Sequence, residues 1–95
     1  MNDSNIIYEM IGGESYRYYP LSDFVVRAPD VCNGRPTFKY TRIEITGTIE
    51  RLAAGEHIDN IVDGYAGRIS KEAILEAAEL MTIQFINSLP QIEPA

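Results

Sequence analysis

At 95 residues the chain has the length of one domain, and 45% apolar residues is an ordinary share for a folded protein. Its one cysteine, Cys32, cannot close an intrachain disulfide, and no apolar run approaches the roughly 20 residues needed to span a bilayer. The net charge of −6 is uneven: residues 1–16 sum to −3, 17–51 to +2 and 52–95 to −5, so only the middle third could supply the basic stripe of a nucleic-acid-binding domain.

The opening MNDSNIIYEM is acidic and polar, without the basic-then-apolar layout of a signal peptide, and a cytoplasmic location is expected. Residues 6–19 read as a β-hairpin. Ile6, Ile7, Tyr8, Met10 and Ile11 precede Gly12-Gly13, a pair that tolerates the positive φ of a tight turn. Tyr16, Tyr18 and Tyr19 form the return strand, which Pro20 ends. The alternative is an arm that gains order only against a partner. Next comes a short strand over 24–27, a turn at Asn33-Gly34 and a second short strand over 35–39. Strands this short should lean on helices.

Ile45, Ile49, Leu52 and Ala53 make one apolar face of a first helix, with Gly55 as its left-handed cap. Ile58, Ile61, Val62 and Tyr65 repeat that spacing in a second helix, with Asp59 in its first turn. Ser70 is a good N-cap for a third helix running to about Leu89, stopped by Pro90. Ile74, Ala77, Ala78, Met81 and Phe85 form its inward face, and Glu72, Glu76 and Glu79 line the opposite one. Ile83 also falls on that outward face, with Ile86 beside it, and an extra apolar side predicts a subunit or partner contact.

Two short helices and a longer one, joined by glycine-containing turns, predict a mainly α fold. It would be a C-terminal three-helix helix-turn-helix bundle, homeodomain-like or winged-helix-like, with a short N-terminal β-hairpin or strands. The expected division is an arm over 1–23, the helix-turn-helix domain over 24–89 and a tail over 90–95.

Arg35, Lys39, Arg42 and Lys71 are the candidates for contact with phosphates or an acidic partner. Strand alternation would point Arg35 and Lys39 the same way, while Arg42 is more economically read as paired with an acid such as Glu44. Ile83, Ile86, Tyr18 and Tyr19 are the candidates for a dimer or partner contact. The third helix opens with one lysine among glutamates, which is poor material for reading base edges. Cys32 and His57 lack the third group a catalytic dyad needs, and no CxxC, HxxxH or calcium-loop spacing occurs. No catalytic residue, metal site, cofactor or small-molecule ligand is expected.

Taken in order, Gly34-Arg35-Pro36, Phe38-Lys39, Thr41-Arg42-Ile43, Leu52-Ala53-Ala54-Gly55, Ile58 with Ile61-Val62, Tyr65 and Ile69-Ser70-x-Glu72-x-Ile74 resemble the family called domain of unknown function 433, over about residues 25–80. Two departures stand out: Tyr40 where that family usually has glycine, and His57 where serine or threonine often opens the second helix. The resemblance implies a small helix-turn-helix protein, antitoxin-like and without catalytic activity, that binds a PIN-type nuclease partner. The expected function is therefore a non-enzymatic regulator acting through a protein partner, as a homodimer. The alternative is a sequence-specific DNA-binding transcriptional regulator using Arg35, Lys39, Arg42 and Lys71.

Overall fold

Gly12 and Gly13 both take positive φ, 58° and 84°, the geometry that lets a two-residue turn follow the right-handed twist of its strands. In the computed structural model, which describes residues 5–92, they join β1 (Ile7–Ile11) to β2 (Glu14–Pro20). The pair is antiparallel, with Ile11 opposite Glu14 and Ile7 opposite Tyr18. The hairpin read from the sequence is present.

Pairing continues past the hairpin. Tyr19 and Pro20 lie opposite Arg27 and Val26 of β3 (Val25–Arg27), and Val25 lies opposite Phe38 of β4 (Pro36–Phe38). All four strands make one antiparallel sheet in the order β1-β2-β3-β4. The expected mainly α, homeodomain-like or winged-helix-like bundle is thereby corrected. A four-stranded sheet precedes three helices, an α+β arrangement. The reason lies in a short reversal. The N–H groups of Leu21 and Ser22 both donate to the Val25 carbonyl, at 2.9 and 3.1 Å, and turn β2 directly into β3. Pro20 is tolerated because it is the last residue of its strand.

The helices follow local signals closely. In α1 (Ile45–Ala53), Gly55 takes φ 95° and two bonds close the end: Gly55 N–H to Leu52 O and Glu56 N–H to Arg51 O, both 3.0 Å. That is the two-bond glycine stop that satisfies the last carbonyls. In α2 (Ile58–Gly64), the His57 Nδ1 accepts from the Asp59 N–H at 3.2 Å, so His57 is a helix cap. In α3 (Lys71–Ser88), the Ser70 hydroxyl accepts from the Ala73 N–H at 3.1 Å.

Sheet and helices share the core. Val25 and Phe38 pack with Ile45, Ile61, Ile69, Ile74 and Ala77 between the sheet and the helices. Val26, next along β3, points the other way into a smaller cluster with Tyr18 and Ala28. Ala73, Ile74 and Ala77 of α3 are buried and Leu80 and Met81 half-buried, but every residue from 82 to 92 is exposed. Phe85, expected on the inward face, is exposed as well, because the body beneath the helix ends near Met81. At roughly 1.5 Å per residue, the last two turns of α3 stand about 10 Å clear of the core.

Candidate partner-binding surface

The sequence of α3 turns its apolar side around partway along. Ala73, Ile74, Ala77 and Met81 face the core, and Gln84 and Ser88 continue that line with polar groups. At about 100° per residue, Ile86 points opposite to Ala77, with Ile83 and Leu89 on either side of it. Ile83, Phe85, Ile86 and Leu89 are each between 48% and 62% exposed. Together they present on the order of 400 Å² of apolar surface, within the range of the largest patch on an ordinary monomer, which is often functional. Thr82, Phe85, Ile86 and Leu89 fall at i, i+3, i+4 and i+7, the spacing of a helix laid into a groove. Ile83 and Ile86, named from the sequence as contact residues, lie together on this surface.

A groove opens beside the root of this segment. Leu21, Val25, Pro36, Ile45, Leu80 and Met81 line it, around a volume of about 520 Å³. Its walls come from the sheet, α1 and α3, so no local stretch of sequence announces it.

The basic candidates are dispersed among separate partners. Arg35 donates to both carboxylate oxygens of Glu44, at 2.6 and 3.3 Å. The hydrogen bonds from Arg35 hold the Glu44 carboxyl below its ordinary pKa. The economical pairing for Arg42 is thus made by Arg35 instead, and Arg42 makes no ion pair among the described residues. Lys39 sits with its ammonium 5.1 Å from the Tyr18 ring centre and 5.0 Å from that of Tyr40, a cation–π position between two aromatics. Lys71 lies 3.8 Å from Asp59 at the start of α3. Tyr18 is 2% exposed, inside the smaller core cluster, and Tyr19 is half-buried where β2 meets β3.

The sequence reading named neither of two further arrangements. Glu76, read as lying on the face opposite the inward one, accepts from the Ser22 hydroxyl at 2.7 Å and the Phe24 N–H at 2.9 Å, tying α3 to the β2–β3 turn. Those partners lie more than fifty residues away, beyond any periodicity. Tyr16, Tyr18 and Tyr40 form an aromatic cluster with centroids 5.1 to 6.4 Å apart. Tyr40 takes φ 67°, and its N–H donates to the Tyr16 hydroxyl at 3.1 Å. The departure from glycine at this position was the available clue that the backbone is left-handed there.

Cys32 is half-exposed, its thiol 3.4 Å from the Arg42 carbonyl. No group of three or more His, Cys, Asp or Glu side chains among the described residues is placed to hold a metal ion, and no described helix is long and apolar enough to cross a membrane.

The family model described as Protein of unknown function (DUF433) matches residues 25–80. That is more than half of the 95 residues, and the chain belongs to this family. No curated protein and no solved structure matches it. The β1–β2 hairpin and the exposed end of α3 both lie outside the matched segment.

Proposed function

We propose that this member of the DUF433 family is a non-enzymatic, antitoxin-like regulator that acts by binding a protein partner, a PIN-type nuclease, along the projecting half of α3. The observation that carries the reading is the reversal of the helix's apolar side near residue 82. A helix end serving only the fold would keep its apolar residues in line with Ala77 or become polar throughout. Here the line facing the chain's own body turns polar at Gln84 and Ser88, while Ile83, Ile86 and Leu89 face away from it. The spacing of Thr82, Phe85, Ile86 and Leu89 fits insertion into an apolar groove. Glu72 and Glu79, both exposed on the outer side of α3, favour a groove with a basic rim. A cytoplasmic site of action belongs to the same reading.

DNA binding has less support. Arg35, Lys39 and Lys71 each already face an acid or an aromatic ring of the chain itself, and Arg42 alone of the four does not.

The test is co-expression with a PIN-type nuclease encoded beside this chain. A stoichiometric complex and relief of nuclease-dependent growth arrest are expected. The exposed double substitution Ile83→Ser/Ile86→Ser should lose both while keeping its unfolding midpoint. A neighbouring nuclease that is neither bound nor inhibited refutes the reading.

A further inference from the structure

β1 has one paired edge and one open edge. In a two-residue turn of this kind the flanking residues, Ile11 and Glu14, exchange main-chain hydrogen bonds. Hydrogen-bonded pairs then recur at every second position, at Glu9–Tyr16 and Ile7–Tyr18. It follows that the N–H and C=O groups of Tyr8 and Met10 point away from β2. Among the described residues the sheet ends at β1, and no strand receives them. Of the usual protections of such an edge, the strand IYEMI has no proline, no lysine and no bulge in its register with β2, and carries one charge, Glu9, turned inward on Tyr18. The other end of the sheet is treated differently, since Thr37 of β4 bridges to Glu44 at the start of α1.

We infer that the open edge of β1 pairs with β1 of a second copy of this chain, antiparallel about a two-fold axis at Glu9, giving one sheet of eight strands across the dimer. This register overlays all five residues of the strand. It sets Tyr8 opposite the second copy's Met10, and Met10 opposite its Tyr8, so the outward main-chain groups meet as two hydrogen-bonded pairs. The side chains agree with it. Tyr8 and Met10 share a face, where the thioether of one copy meets the ring of the other, and Ile7 lies opposite the second copy's Ile11.

Area supports a second copy as the occupant. Ile7, Tyr8, Met10 and Ile11 are between 40% and 69% exposed, a high share for apolar residues of a strand. Their exposed surface comes to on the order of 500 Å² per copy, main chain included and divided between the two faces of the strand, so edge pairing covers a part of about 1,000 Å² over two copies, the size of a weak, concentration-dependent association. Glu9 is the one charge in the strand, and it gives the register a signature. One of its carboxylate oxygens accepts from the Tyr18 hydroxyl at 3.1 Å, and the other is buried without a partner. On the axis the two Glu9 residues lie directly opposite each other, and like charges so placed weaken pairing in a residue-specific way. The inference does not rest on the nuclease-binding reading, since it uses a different surface.

The test is sedimentation equilibrium of the full chain and three variants. The unsubstituted chain is expected to form a dimer that tightens with added salt, because each copy carries a net charge of −6. Glu9→Gln removes the facing charges and should tighten it threefold to tenfold. Met10→Lys should weaken it at least tenfold with circular dichroism unchanged, and Ile83→Ser/Ile86→Ser should leave it as it was. Amide exchange gives a second readout on the unsubstituted chain: Tyr8 and Met10 should slow as concentration rises, while Glu9, already bonded to Tyr16, should not. A monomer at millimolar concentration overturns the inference. So does a dimer that Met10→Lys leaves intact, or one that the α3 substitutions abolish.

Discussion

Tyr40 holds an unfavourable backbone and a favourable side chain at once, and the two can be separated by substitution. Its φ of 67° lies in the left-handed region, which costs an L-residue roughly 1–2 kcal/mol relative to glycine. Against this stand two ring contacts, to Tyr16 at 5.5 Å and Tyr18 at 6.4 Å, and the Lys39 ammonium 5.0 Å from its ring centre. Aromatic pairs contribute about 0.5–1.5 kcal/mol each and an exposed cation–π contact about 0.5–1. Tyr40 is half exposed, so the low end of each range applies, giving about 1.5 kcal/mol in all.

Tyr40→Gly loses the contacts but relieves the backbone, and should change stability by no more than about 1 kcal/mol. Tyr40→Ala loses the contacts and keeps the strain, and should cost about 1.5–2 kcal/mol. The two variants should therefore differ by about 1 kcal/mol in favour of glycine, or roughly 4–8 °C in Tm for a domain this size. Urea and thermal unfolding of the pair measure this directly. In both variants the amides of β1 and β2 should exchange faster, because the ring packed on Tyr16 and Tyr18 of the hairpin is gone. An alanine variant as stable as the glycine variant would refute the reasoning, since the backbone would then carry no strain.

Burial separates two isoleucines of one helix. Ile74→Ala, in the fully buried core, should cost about 2–5 kcal/mol in urea unfolding, while Ile86→Ala on the projecting turn should stay within about 0.5. Glu76→Ala strands the Phe24 N–H and Ser22 hydroxyl and should cost about 1–2 kcal/mol; Glu76→Gln, whose carbonyl still accepts, should cost less. Asp30, Glu44 and Glu56 are held below their ordinary carboxylate pKa by hydrogen bonds from Arg17, Arg35 and Arg51. Their folded pKa values lie below the unfolded ones, so their contribution is complete above the usual carboxylate range and is lost as pH falls through it. The urea midpoint should fall from about pH 5 downward, and Glu56→Gln should flatten part of that slope. A midpoint indifferent to pH across this range contradicts the three pairings.

What the sequence determined by itself is what short stretches of chain decide. The Gly12-Gly13 turn, the cap at Ser70 and the stop at Gly55 each depend on residues within a few positions, and all were legible in that form, whereas the cap at His57 was found only in the structure. The outward turn of Ile83 and Ile86 was legible too, because helical periodicity alone places them. The sheet was not. Two of its strands are three residues long, and segments so short become strands only through partners that the chain supplies elsewhere. Glu44 could pair with Arg35 or Arg42, and spacing cannot choose between them; the path of the loop does. Glu76 meets Ser22 only after α3 has packed across β3. Tertiary structure decided these because burial and long-range pairing depend on which surfaces meet, and that is a property of the whole chain's packing.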